Sequence, residues 1–307
     1  MNTPLNRPAL GRTIRTKAAP ADDGTAWAAE ATPRVLGLIP AFNPDPESLA
    51  ATLASLLAQT VPIDICLVDD GSTPPLEAPG FASSRTRLVR LGTNQGITEA
   101  LKAGVQFASE HGYEFICRLD VGDLSYPERV ERQLRHLDEH PEIDLVGAFS
   151  RVIAPNGDVL FHHGVLGGPA AVASYLRKNS PFRHSSFFIR TRPLVEKGGY
   201  SVAFDGAEDY ELLLRLSDGG RVDCVPETLV DYIVDPEGIS EVRRARQLRK
   251  RLAAQIVHLK PLEPACYAGI LRTLAIMVTP RRIAQQASQR AWRRGAAQPI
   301  AAPRKSA

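Results

Sequence analysis

Short, wholly apolar runs alternate along this chain with stretches that return an apolar residue every third or fourth position. Residues 34–39 (RVLGLI) read as a strand buried on both faces, and so does the run carrying Ile63, Ile65, Leu67 and Val68, which ends at Asp69. Between them, residues 48–59 set Leu49, Leu53, Leu56 and Leu57 on one helical face, with Ser48 as a cap or first-turn residue. A third strand is predicted over 86–91, a helix over 98–111 that Gly112 stops, and a fourth strand over 114–119. This β-α-β-α-β order implies a parallel sheet with right-handed crossovers.

After Asp123 the pattern changes. Pro127 opens a predicted helix with Val130, Leu134 and Leu137 inward, which Pro141 ends. Residues 145–153 and 159–162 flank Asn156-Gly157, a hairpin signal with room for a longer loop. A further strand is predicted over 185–189 and a helix over 210–216. The back half is therefore mixed and locally antiparallel.

Composition adds three points. A content of 44% hydrophobic and 23% charged residues suits a soluble globular chain, and 307 residues suffice for one large α/β domain with appendages. Cys66, Cys117, Cys224 and Cys266 stand far apart without metal-ligand spacing, and the two in predicted strands read as buried thiols of a reducing, cytoplasmic compartment. Residues 1–32 show no hydrophobic periodicity and no apolar signal core, so a disordered arm is expected there.

Charge is unevenly divided. From Glu241 onward there are 15 Lys/Arg against two acids, leaving 22 basic and 32 acidic residues upstream, so a net charge of +3 splits into about −10 and +13. The basic helical pattern of residues 242–259 precedes an apolar run, 267–278, too short to span a bilayer. That run either packs on the domain or lies in a membrane interface, with Ile270, Leu271, Leu274 and Met277 toward lipid and Trp292 as an anchor. An anionic membrane surface is thus the expected partner of the tail. Nucleic acid is not, because no binding motif accompanies the charge.

Chemistry is concentrated at strand ends. Val68-Asp69-Asp70-Gly71-Ser72 finishes a buried strand with two adjacent acids, either a solvated turn or acceptors at the edge where α/β sheets bind ligands. Asn94 and Gly96 precede a helix whose N-terminus favours phosphate, while Lys102 is equally a phosphate contact or a solvated helix lysine. Asp120 and Asp123 present hard oxygens, although Asp123 can instead cap the helix near Pro127. Glu208 and Asp209 open a helix, where the dipole alone favours acids. Adjacent His162 and His163 diverge on a strand and do not chelate.

Taken in order, these motifs resemble the family 2 glycosyltransferases. The series is IPAFN at 39–43, VDDGS at 68–72, TNQGITEALKAG at 93–104, RLDVGD at 118–123 with Pro127-Glu128-Arg129, His184 before a strand, GGY at 198–200 and AEDYELLLRL at 207–216. The resemblance spans residues 35–232. It implies the GT-A fold, an α/β Rossmann-like mixed sheet flanked by helices over 33–240, followed by a basic helical extension over 241–307 with a flexible end.

By that resemblance, Pro40, Ala41, Asn43, Asp69, Asp70, Asn94, Gly96, Lys102, Arg118 and Asp120 hold a nucleotide-diphosphate sugar. Asp120 and Asp123 bring Mg²⁺ or Mn²⁺ to its diphosphate, although Gly122 stands where the family usually has its second acid. Asp209 is the general base of an inverting transfer, Glu208 supports it or meets the acceptor, and His184 lies on the side of a saccharide or lipid-linked saccharide acceptor. The expected role is in cell-surface polysaccharide or glycolipid assembly. The competing expectation, kept open by Gly122, is a degenerate transferase acting as a binding or scaffold subunit. A nucleotidyltransferase lacks its Gly-rich loop here, and neither GxGxxG nor GxxxxGK[ST] occurs where nicotinamide or P-loop enzymes need it.

Overall fold

The structure is a computed structural model that describes residues 33–77, 85–234 and 244–279, all within one compact unit, Thr32–Ala307. The expected arm over 1–32, Trp292 and the chain beyond Thr279 lie outside the described residues.

Strands β1 (Val35–Ala41) and β2 (Asp64–Asp69) are buried along their whole length. They pair in parallel with each other, β2 with β3 (Thr86–Arg90), and β1 with β4 (Phe115–Arg118). Side chains alternate by the strand period of two. Val35, Ile39, Ala41, Ile65, Leu67, Phe115 and Cys117 pack on one face, and Leu36, Leu38, Cys66, Val68 and Ile116 on the other. Both faces are covered, which is why these runs lack polar alternation.

Helix α1 (Pro46–Leu57) fills the first connection. Its cap is Asp45, whose Oδ2 accepts from the Ser48 amide at 2.9 Å and hydroxyl at 2.7 Å, so Ser48 is a first-turn residue. Leu49, Leu53 and Leu56 are buried, whereas Leu57 turns outward rather than joining their face. Helix α2 (Ile97–Glu110) crosses the opposite face and sets Gly104 on Leu38. A Cβ at Gly104 would lie 2.0 Å from a Leu38 methyl, so only glycine admits this approach.

Helix α3 (Arg129–Glu139) buries Val130 and Leu137, with Leu134 half-buried beside them. After it the sheet turns mixed, as expected. The elements that follow are β6 (Leu145–Ile153), β7 (Val159–His163), α4 (Gly168–Leu176), β8 (Phe188–Arg190), α5 (Thr191–Glu196), α6 (Glu208–Leu216) and β9 (Val222–Ile233). A two-residue strand, β5 (Leu124–Ser125), precedes α3, and α7 (Arg244–Val257) and α8 (Pro264–Val278) close the described chain. The strand order is β3-β2-β1-β4-β8-β6-β9-β5, with β7 on β6 as the predicted hairpin. Strand β8 runs antiparallel to both β4 and β6, and β6 runs parallel to β9.

The strand predicted over 185–189 begins late. His184–Ser186 form a 3₁₀ turn, because the Ser186 amide and hydroxyl both bond the Arg183 carbonyl, at 3.0 and 2.7 Å. All four cysteines are buried free thiols, as expected for Cys66 and Cys117.

Replacing Gly104 with Val should force Leu38 from its packed position. Urea unfolding is expected to show a loss of about 1–3 kcal/mol with an unchanged slope.

Candidate active site

The C-terminal ends of β1, β2 and β4 meet at one rim of the sheet. The Asp70 amide donates to the Ala41 carbonyl at 2.8 Å, and the Leu119 amide to the Leu38 carbonyl at 3.1 Å. Pro40 and Ala41 are therefore the last paired residues of β1, opposite Val68 and Asp69. Asn43 follows with a φ of 43°, and its side chain staples the next loop. Its amide donates to Ser72 Oγ at 2.9 Å, and the Thr73 amide donates to Asn43 Oδ1 at 2.8 Å.

The two acids after β2 build this rim. Asp69 accepts from the Ser72 amide at 2.8 Å and the Leu76 amide at 3.2 Å. Asp70 accepts from Asn94 Nδ2 at 2.9 Å, the Gln95 amide at 2.7 Å and the Gly96 amide at 2.9 Å. The N–H groups expected to face phosphate at the start of α2 are thus occupied by the Asp70 carboxylate. Burial pushes the Asp70 carboxyl up, and these amides pull it back. Gly71, at a φ of 76°, lets the two loops touch, since a Cβ there would stand 2.4 Å from the Thr93 carbonyl carbon. Lys102 pairs with Glu99 on its own helix at 2.9 Å.

A second cluster gathers around Arg118, whose side chain is wholly shut off from solvent. Its Nη1 pairs with Asp120 Oδ2 and donates to Ser185 Oγ at 3.2 Å. The Ser185 hydroxyl contacts Asp120 Oδ2 at 3.1 Å and also donates to Asp123 Oδ2. The other Asp123 oxygen accepts from the Ile233 amide at 3.0 Å. Asp123 is pushed up by burial and then by the negative charge of Asp120.

This arrangement does not suit Asp120 and Asp123 as a chelating pair. Both Asp123 oxygens are engaged inward, one Asp120 oxygen is bound to Arg118, and among the described residues no three His, Cys, Asp or Glu side chains are placed to hold an ion. Gly122 has a φ of 95°, a conformation that an aspartate would enter only under strain.

Helix α6 brings Glu208 and Asp209 into the same electrostatic neighbourhood. Glu208 is buried and accepts from the Gly206 amide at 2.7 Å, while Asp209 is half-buried and accepts from the Tyr210 amide at 2.7 Å. Burial raises both carboxyls. The Asp209 charge raises Glu208 further, whereas Arg118 and Arg251 draw Asp209 back down. His184 bonds the Tyr200 hydroxyl through Nε2 at 2.9 Å, and burial beside the Arg118 cation holds its imidazole neutral, well below the usual range. Asp205 links the two halves, accepting from Thr98 Oγ1 of α2 at 2.8 Å and pairing with Arg246 of α7 at 2.6 Å.

Sequence reasoning assigned no role to Ser185, Tyr200, Phe42 or Arg183. Phe42 stands half exposed just past β1, and the Arg183 guanidinium lies 4.3 Å over the Tyr232 ring. Two of them carried a signal, Phe42 within IPAFN and Tyr200 as the end of the GGY motif. His162 and His163 diverge as expected, to Thr228 Oγ1 at 3.1 Å and to the Ser180 carbonyl at 3.3 Å.

Residues 38–199 match the family described as Glycosyl transferase family 2. A Haemophilus influenzae protein described as an uncharacterized glycosyltransferase is 29% identical over 212 residues, 67% of this chain and 77% of that relative. The amylovoran biosynthesis glycosyltransferase AmsE of Erwinia amylovora is 31% identical over 202 residues, 63% of this chain and 73% of AmsE. Among solved structures, S. aureus TarS 1-349 in complex with UDP aligns with a TM-score of 0.57 at 16% identity, over 83% of this chain and 78% of that one. The match spans 44% of the longer TarS chain. The mixed, helix-flanked sheet is thus of the GT-A type.

Asp70→Asn keeps the size of the side chain but turns a donor toward the Gln95 or Gly96 amide. Stability should fall by about 1–3 kcal/mol in urea unfolding, the cost of a buried donor left without an acceptor.

Proposed function

The chain belongs to glycosyl transferase family 2 and is a glycosyltransferase, and on that premise we propose an inverting transfer from a nucleotide-diphosphate sugar to an acceptor hydroxyl. The observation that carries this reading is the Glu208–Asp209 pair, raised by burial and held beside Arg118 and Asp120. In the proposed step Asp209 takes the acceptor proton as that oxygen bonds the anomeric carbon. The bond from this carbon to the diphosphate oxygen breaks on the opposite face, and its electron pair leaves with the diphosphate. Glu208 is the supporting acid, and neutral His184 lines the acceptor side.

For the donor, we assign Pro40, Ala41 and Asn43 to the base pocket, where the exposed ring of Phe42 offers a stacking surface. Asp69, Asp70, Asn94 and Gly96 shape its wall for the base and ribose. Asp120 faces the diphosphate, backed by Arg118, and Arg183 supplies a second cation from its perch on Tyr232. Mg²⁺ or Mn²⁺ enters no step of this proposal, because the donor set at Asp120 and Asp123 does not fit it.

The likeness to AmsE, named for amylovoran biosynthesis, supports an acceptor in cell-surface polysaccharide or glycolipid assembly, carried as a lipid-linked saccharide. Buried free thiols support the cytoplasmic side as the place of action. A scaffold subunit would bind donor without turning it over.

Asp209→Asn should lower transfer by about 10²–10⁴-fold, a general base's contribution, while the thermal shift caused by a nucleoside diphosphate persists. Undiminished nucleoside diphosphate release across a panel of sugar donors would remove Asp209 as the base. The base must be ionised, so with both carboxyls raised the acidic limb of kcat/KM should lie above the usual carboxylate range, with activity lost as pH falls through it.

A further inference from the structure

We propose that the outer face of α8, together with the turn joining it to α7, docks on an anionic lipid surface. Helix α8 is amphipathic in an inverted sense. Its inner side carries Cys266, Gly269 and Thr273, all buried, and Gly269 approaches so closely that a Cβ would lie 1.9 Å from the Arg177 carbonyl oxygen. Its outer side presents Tyr267, Leu271, Leu274 and Val278, four, three and four residues apart and exposed, with Ala268 and Ala275 exposed next to them. Apart from the Tyr267 hydroxyl, which donates to the Pro261 carbonyl at 3.1 Å, the exposed polar side chain of α8 is Arg272, next to Leu271. Leu271 is 66% and Val278 84% exposed, and Leu262 in the preceding turn is 96% exposed, with Ile256 and Val257 open beside it. Contiguous apolar exposure of this kind marks an interaction surface.

Charge selects the occupant. Among the described residues from Arg244 to Thr279 there are seven Lys/Arg and one acid, Glu263, which is itself taken by Arg177 at 2.9 Å and Lys260 at 3.6 Å. The sequence after Thr279 adds seven more Lys/Arg and no acid. Two copies meeting through this face would bring like charges together, whereas anionic headgroups complement the cations as acyl chains accept the leucines. Fifteen residues of helix are too short to cross the hydrocarbon core, and no described helix is long and apolar enough to do so, so α8 lies along the surface. Of the four residues expected to face lipid, Leu271, Leu274 and Met277 are exposed, while Ile270 is half-buried.

The inference extends the reading of a lipid-linked acceptor, and its test uses no turnover, so either can fail alone. The full chain is floated with phosphatidylcholine vesicles, with and without phosphatidylglycerol. It should bind the anionic vesicles and lose binding in high salt. Leu271→Asp combined with Leu274→Asp should weaken binding at least about tenfold, since each buried leucine contributes that much or more. Arg249→Glu with Arg272→Glu should weaken it on the anionic vesicles. Unchanged melting by circular dichroism shows that the variants fold.

Failure of the full chain to float overturns the proposal, as does equal flotation of both variants. Concentration-dependent dimers that Leu271→Asp/Leu274→Asp abolishes, without flotation, assign the face to a second copy. A monomer that never floats assigns it to the chain's own remaining segments.

Discussion

A guanidinium with no solvent to stabilise it must be met by acceptors, and Arg118 sets this requirement for the whole site. It is the last residue of β4, paired with Leu38 of β1, so its position is fixed by the centre of the sheet. Asp120 and Ser185 meet it directly, and its field reaches Asp123, Glu208 and Asp209. Four carboxyls drawn from two chain segments would repel one another in a buried cluster without it. Its Nε and Nη2 have no hydrogen-bond partner, so Asp120 and Ser185 both engage it through Nη1.

The rim around that cation is rigid because side chains occupy its loose backbone groups. Arg129 of α3, also fully buried, donates to the Arg118 carbonyl at 2.8 Å and the Phe187 carbonyl at 3.2 Å, and Gln133 Nε2 donates to the Ser186 carbonyl at 2.8 Å. Asp70 does the same for the loop entering α2. Loops held by such bonds keep their geometry at low entropic cost on binding.

Legibility followed periodicity. Strands β1, β2 and β4 were readable because burial on both faces leaves nothing polar in them, and α1 and α2 because their leucines and alanines recur on one face. Strand β9 escaped because Pro226 and Glu227 interrupt its apolar run, where its register with β6 shifts. Helices α4 and α5, of nine and six residues, are too short to show a period. The rim acids were legible as motifs, but their partners were not. That Asp70 serves loop amides, and that Asp123 turns inward to Ser185 and Ile233, depends on contacts from residues 25 to 110 positions away.

One buried chain of polar groups ties the two C-terminal helices to α6 and to the end of α4. Thr273 of α8 donates to Gln255 of α7 at 2.8 Å, Gln255 donates to the Tyr210 hydroxyl at 3.2 Å, and Tyr210 donates to the Leu176 carbonyl at 2.7 Å. Tyr210 follows Asp209 directly, and the Arg251 guanidinium covers its ring at 4.3 Å. The C-terminal helices therefore form the floor under the acids of α6. Trimming them would open this dry interior to water and leave the Tyr210 hydroxyl without Gln255, so a shortened chain would report a displaced α6 as much as a missing tail.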